Sequence, residues 1–207
     1  MRVVSNLTFA TVLKTGGEYH ASHVHALYKQ VQTYIPQASF VCLSDANNLD
    51  CKTIPLQHDW PGWWSKLELF KLQGPVLYTD LDTIITGNCD HWLDKIKDKK
   101  LVLLRDIYRG VTNPHAMGSG IMYWSGDMSV LYHDYIRVGC PTDIRGGDQE
   151  FLEQSLGTAE YIQDYTDDVV SYKAQIRDGD YDKIDASIIY FHGEPRPWNQ
   201  SEIPFLS

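Results

Sequence analysis

Two aspartates interrupt a stretch that is otherwise apolar. In VLYTDLDTII (76–85), Asp80 and Asp82 fall inside a run of strand-favouring residues, although aspartate is a poor strand former. Carboxylates two residues apart share one face of extended chain, and a slight turn would let both reach a single ion. Hard divalent cations take such oxygen ligands. In open α/β sheets, ligands gather beyond the carboxyl ends of strands. The pair therefore reads as a metal site at a strand end, against the plainer reading in which one aspartate caps a turn and the other is solvated.

Other residues could handle an anionic, ring-bearing ligand. Leu13-Lys14-Thr15-Gly16-Gly17 ends the first apolar stretch, and its two glycines let backbone approach a ligand closely. The G-x-x-x-x-G-K-[ST] spacing of a phosphate-binding loop is missing. Tyr19 could stack on a base or cover the turn. His20, His23 and His25 lie at i, i+3 and i+5, a spacing that does not bring three rings to one helix face. Cys42, Cys51, Cys89 and Cys140 show no C-x-x-C pair, so neither a zinc ribbon nor a dithiol site is expected.

The elements that must position these residues follow from periodicity. Residues 7–13 read as a buried strand. Val24, Leu27, Tyr28, Val31, Tyr34 and Ile35 then recur at helical spacing up to Pro36. SFVCLS (39–44) is a second strand, and strand–helix–strand suggests a right-handed crossover in a parallel sheet. A short strand is expected near 52–56. A helix over 63–72 would place Trp63, Leu67 and Phe70 on one face and Lys66 elsewhere, ending at Gly74-Pro75. Strands follow at 76–85, 101–106, 120–124 and 187–191, and helices at 127–137 and 148–156. The expectation is one α/β domain over residues 1–207 with a mostly parallel central sheet flanked by helices, less regular in its last 50 or so residues.

The 207 residues carry a formal charge of −9, which argues against a nucleic-acid surface. An acidic protein that handles phosphates needs local positive charge, and a divalent ion is one source. No stretch approaches the length of a membrane span, and the N-terminal stretch reads as no signal peptide. A cytoplasmic, reduced protein is the expectation.

VLYTDLDTIITGN after WSKLELFKL resembles the glycogenin-like, family 8 type of glycosyltransferase, which has the GT-A fold. Gly118-Ser119-Gly120-Ile121-Met122-Tyr123, Gly147-Asp148-Gln149, and Phe191-His192-Gly193 through Pro197-Trp198 resemble three further family segments in the same order. The resemblance spans about residues 7–198. It implies a UDP-sugar donor with UDP-glucose as default, a glycan acceptor, and transfer with retention of configuration. It also implies Mn²⁺, with Mg²⁺ as the alternative, held by Asp80, Asp82 and His192. Leu13, Lys14, Thr15, Tyr19, Lys66, Asp80, Leu81, Gly193 and Arg196 would contact the donor. Asp148, Gln149 and Lys66 would serve the transfer step. Two departures stand out: Gly118 replaces a usual Asn, and Arg196 replaces a usual Lys at a shorter distance from the histidine. Compact transferases of large DNA viruses and bacteria look similar, which makes a viral protein acting in host cytoplasm one expectation. The oligomeric state is left open.

Two alternatives share these residues. Asp80-Leu81-Asp82-Thr83 also satisfies the D-x-D-x-T pattern of haloacid-dehalogenase-like phosphatases, whose first carboxylate attacks phosphate; that family usually carries it on the first strand. A nucleotide-sugar-binding module without turnover would keep the same binding groups.

Overall fold

The structure, a computed structural model, describes residues 6–180, 182 and 185–200. Residues 1–5, where a leader would begin, lie outside them. The chain opens with β1 (Thr8–Leu13), α1 (Ala21–Tyr34), β2 (Ser39–Ser44) and β3 (Thr53–Pro55). A ten-residue 3-10 segment (Gly62–Lys71) leads into β4 (Val76–Thr79) and β5 (Thr83–Ile85). Then come α2 (Asp90–Ile96), β6 (Leu101–Arg105), β7 (Met117–Trp124), α3 (Ser129–Arg137) and α4 (Gly147–Leu156). β8 (Glu160–Tyr161), β9 (Val169–Ser171), a π-helical turn (Tyr172–Arg177) and β10 (Ile188–Tyr190) follow.

Among the described residues the strands form two sheets. The large one has seven strands in the order β3-β2-β1-β4-β7-β6-β8. β1, β2, β3 and β4 pair in parallel; β7 alone runs against its neighbours β4 and β6. The small sheet has the order β5-β10-β9. This is the expected mostly parallel sheet flanked by helices.

Strand alternation divides the core into two layers. Phe9, Leu13, Phe40, Cys42 and Leu77 face α1 and α2. Ala10, Val12, Val41, Leu43 and Tyr78 face the 3-10 segment, α3 and α4. Helix α1 begins with a reciprocal cap rather than a metal cluster: the His20 backbone N–H donates to His23 Nδ1 at 3.1 Å.

Two elements differ from the sequence expectation in ways that bear on the site. The run 76–85 is not one strand. β4 ends at Thr79, and the chain turns through Asp80-Leu81-Asp82, with Thr83 N–H donating to the Asp80 carbonyl at 3.2 Å. It re-enters as β5 in the other sheet, antiparallel to β10. The aspartates thus occupy the crossing between sheets, where strand propensity no longer counts against them. The segment after Pro61 is 3-10 rather than α, with period three. Its buried stripe is Trp64, Leu67 and Phe70, and Trp63, expected on the buried face, is 58% exposed.

Candidate active site

The carboxyl ends of β1, β4, β6 and β10 open into one cavity of about 900 Å³, near the upper end of the size range of small-molecule sites. Its walls come from residues 14–19 after β1, the 3-10 segment, the Asp80–Asp82 turn, residues 105–108 after β6, and residues 190–193. Of the residues expected from sequence, Lys14, Thr15, Tyr19, Lys66, Asp80, Leu81, Asp82, Gln149, His192, Gly193 and Arg196 all line this cavity.

Leu13 does not. Its side chain is buried in the α1-facing layer, and Val12 and Lys14 take the wall positions, as alternation along a strand requires. Leu13 contributes its carbonyl to the Ser44 hydroxyl at 2.7 Å instead. Asp148 is also absent from the wall. It sits behind Lys66, with its Oδ2 3.6 Å from the Lys66 ammonium.

Two ion-paired halves make up the floor. In the first, Lys66 Nζ lies 2.9 Å from Asp80 Oδ1 and 3.0 Å from Asp80 Oδ2, and Tyr78 Oη–H also donates to Asp80. Burial alone would lower the pKa of Lys66, but Asp148 and Asp80 outweigh it and hold the ammonium above its ordinary value. Burial raises the Asp148 carboxyl, with Lys66 opposing, and burial raises the Tyr78 phenol, with Asp80 adding to the shift. In the second half, Asp82 accepts from Tyr19 Oη–H at 3.0 Å and from the Arg196 guanidinium. Arg196 also donates through Nε to Glu18 at 3.0 Å. Burial and the neighbouring Asp80 charge raise the Asp82 carboxyl, against Arg196.

A divalent ion fits part of this arrangement. Asp82 Oδ1 is buried and has no hydrogen-bond partner, a costly state for a carboxylate oxygen unless a cation is expected there. Asp80 supplies a second carboxylate at the same turn. The imidazole does not join them: His192 Nε2 lies 2.7 Å from Ser171 Oγ. Among the described residues, no three His, Cys, Asp or Glu side chains are gathered closely enough to hold a metal. The expected set of Asp80, Asp82 and His192 is therefore not assembled in this conformation, in which Lys66 and Arg196 hold the two carboxylates. Burial and the nearby Lys173 lower the His192 pKa, which keeps the ring neutral and able to act as a ligand.

Several site residues were not legible in sequence. Asp45 and Asp59 clamp Lys14 Nζ at 2.6 and 2.7 Å, and Asp45 Oδ1 accepts the Thr15 N–H at 2.8 Å. Glu18 and Tyr78 buttress Arg196 and Asp80. Tyr108, 51% exposed, packs edge-on against His192 with ring centres 5.1 Å apart. Only the pairing between distant segments reveals these roles. Among the described residues, no helix is long and apolar enough to cross a membrane.

No protein-family model and no curated protein matches the sequence. Solved structures do match in shape. The glycosyltransferase GlyE of Streptococcus pneumoniae TIGR4 superposes with a TM-score of 0.70 at 13% identity, covering 95% of this chain and 57% of that one. The bifunctional glycosyltransferase WbbM in its apo form gives 0.70 at 12% identity, covering 98% and 48%. The galactosyltransferase LgtC, solved in complex with donor and acceptor sugar analogs, gives 0.63 at 12% identity, covering 94% and 90%. The chain thus spans only about half the length of the GlyE and WbbM chains. At these identities the likeness is one of architecture, and the architecture of this chain is GT-A-like.

Proposed function

We propose that this protein is a glycosyltransferase that uses a nucleotide-diphosphate sugar together with a divalent metal. The observation that carries the reading is the Asp80–Asp82 turn at the crossing between sheets. It faces a large cavity at the strand ends, in a fold shared with solved glycosyltransferases. The charge balance there calls for a cation: the four carboxylates of Asp80, Asp82, Asp148 and Glu18 are paired with two cations, Lys66 and Arg196. A diphosphate would be repelled from so anionic a floor. A divalent ion held by Asp80 and Asp82, with His192 as third ligand from the adjoining wall, would supply the charge that stabilises a departing diphosphate.

The finer assignments follow the resemblance to the glycogenin-like family. The donor is a UDP-sugar, UDP-glucose by default, the metal is Mn²⁺ before Mg²⁺, the acceptor is a glycan, and configuration is retained. Lys14, Thr15, Tyr19 and Gly193 form the nucleoside and phosphate side. Arg196 and Lys66 release their carboxylates to meet phosphate oxygens, a task to which the guanidinium fork is well suited. Asp148 serves the transferred sugar, with Gln149 as its hydrogen-bonding neighbour.

Calorimetric titration of UDP in EDTA and then in Mn²⁺ tests the metal bridge, and equal affinity in both would remove it. A panel of nucleotide sugars scored for hydrolysis with and without Mn²⁺ identifies the donor. Asp148→Asn should lower turnover by orders of magnitude while UDP–Mn²⁺ affinity stays within a few-fold. A parallel loss of both would move Asp148 out of the transfer step.

A further inference from the structure

Among the Phe, Trp and Tyr side chains of the described residues, Trp63 at 58% and Tyr108 at 51% are the mostly exposed ones, and both line the large cavity. The other large apolar side chains that are exposed, Val111, Val130, Ile136 and Val138, are aliphatic and lie away from it. Trp63 contrasts sharply with its neighbour Trp64, which is 2% exposed and stacks on Tyr135. An exposed indole on the wall of a ligand-sized cavity presents a broad apolar face to whatever enters it.

The ring is also seated. Gly147 opens α4 with φ +65°, and a Cβ there would lie 2.6 Å from Trp63 Nε1. Only glycine tolerates both the backbone angle and the approach. Beside this seat, Gln149 lines the cavity with its Oε1 held by Arg109 at 3.2 Å. Arg109 is itself fixed by Asp106, by Glu153 at 2.9 Å and by the Met117 carbonyl at 2.7 Å. With its oxygen engaged by Arg109, the Gln149 amide keeps its Nε2 N–H donors for a ligand in the cavity that it lines. A flat apolar face next to an oriented amide suits a pyranose ring, which has an apolar face and a rim of hydroxyls.

We infer that Trp63, with Gln149 beside it, forms the subsite for the acceptor sugar. This rests on the proposed glycosyl transfer. The nucleoside side has its own ring in Tyr19, on the wall that follows β1, whereas Trp63 belongs to the wall made by the 3-10 segment and α4. Trp63 comes three residues before Lys66, and Gly147 immediately precedes Asp148. An acceptor stacked on Trp63 would thus face the Lys66–Asp148 pair, and its hydroxyl would meet the sugar end of the donor.

The test uses ¹⁵N-labelled full chain with UDP and Mn²⁺, following the Trp63 indole N–H signal assigned with Trp63→Phe. Methyl glycosides of glucose, galactose and N-acetylglucosamine are titrated to about 50 mM, a range suited to weak single-sugar binding. At least one should shift the signal saturably, whereas UDP–Mn²⁺ alone should leave it in place. With that sugar as acceptor, Trp63→Ala should raise KM about tenfold with kcat within about threefold, and Trp63→Tyr should restore most of the loss. UDP–Mn²⁺ affinity of Trp63→Ala, measured by calorimetry, should stay within about twofold and reports that the fold is intact. A saturable sugar shift without any nucleotide-sugar turnover keeps the subsite and removes the proposed function. Turnover with an unmoved Trp63 signal, a shift caused by UDP rather than sugar, or an unchanged acceptor KM in Trp63→Ala overturns the subsite and leaves glycosyl transfer standing.

Discussion

Replacing Lys66 with Met removes the cation that two carboxylates share. Asp80 is the less affected partner. It is about a quarter exposed and keeps the Tyr78 hydroxyl, so its loss resembles that of a surface pair, about 0.5–1 kcal/mol. Asp148 is different. Its side chain is almost wholly buried, its Oδ2 makes no hydrogen bond, and the nearest cation is Lys66 at 3.6 Å. At an effective dielectric near 20, unit charges at that separation attract by about 4–5 kcal/mol, and breaking a buried pair commonly costs about 3–5 kcal/mol. Lys66→Met should therefore destabilise the protein by roughly 3 kcal/mol or more near neutral pH, read from urea midpoints. The Asp148 carboxyl, already raised by burial, should rise further. A carboxyl that binds its proton more tightly folded than unfolded gains stability on acidification, so the deficit should shrink as pH falls. Adding Asp148→Asn should recover most of it, leaving only the Asp80 share. A Lys66→Met cost below about 1 kcal/mol, or a double mutant no more stable than the single one, would show that Asp148 does not depend on Lys66.

Glu68 is fully buried; it accepts the Gln57 and His58 backbone N–H groups at 2.9–3.0 Å and pairs with Lys71 at 2.5 Å. Glu68→Gln should thus cost about 3 kcal/mol in urea unfolding, and a cost under 1 kcal/mol would mean that the loop is held otherwise. Gly147 and Gly157 share positive φ, but a Cβ at Gly157 meets nothing within 4 Å. Both alanine variants should lose about 1–2 kcal/mol from backbone strain, and only Gly147→Ala should also alter Trp63 fluorescence; identical emission in the two variants would refute the close seat. Burial lowers the His23 pKa, with His20 adding to it, and the ring stacks on Trp198 at 4.2 Å. The folded state then binds fewer protons than the unfolded one below the ordinary histidine range, so stability should fall on acidification. His23→Gln should flatten that dependence, and an unchanged slope would assign it elsewhere.

Apart from the two-residue β8, the strands of the large sheet were readable because most are apolar and lie between glycine, proline and asparagine, signals that survive without tertiary context. α2 and β9 were not, because each is short: α2 buries Trp92, Leu93 and Ile96 from only seven residues, too few to establish a period. Lys14, Thr15, Asp80, Asp82 and His192 meet in one cavity because they follow the carboxyl ends of strands, which sequence order alone can suggest, whereas Lys66 and Gln149 reach it from the 3-10 segment and α4. The salt bridges that hold them could not be read. Glu18 to Arg196 and Lys14 to Asp59 join segments whose proximity depends on the completed fold.

The misreading of Trp63 has a simpler cause, and it matters more for function. Counted as an α-helix, the apolar set at i, i+4 and i+7 is Trp63, Leu67 and Phe70, which places Trp63 in the core. Counted with a period of three, the set becomes Trp64, Leu67 and Phe70. Two of the three residues are common to both, so hydrophobicity barely distinguishes the alternatives. Pro61-Gly62 offers no strong α-helical start, since Gly62 adopts φ +51° and no side chain caps the first turn. The tighter winding then seats Trp64 against Tyr135 and turns Trp63 outward over Gly147. Winding with a period of about 3.0 rather than 3.6 residues thus moves an indole from the core to the wall of the cavity, where it can serve as a binding surface.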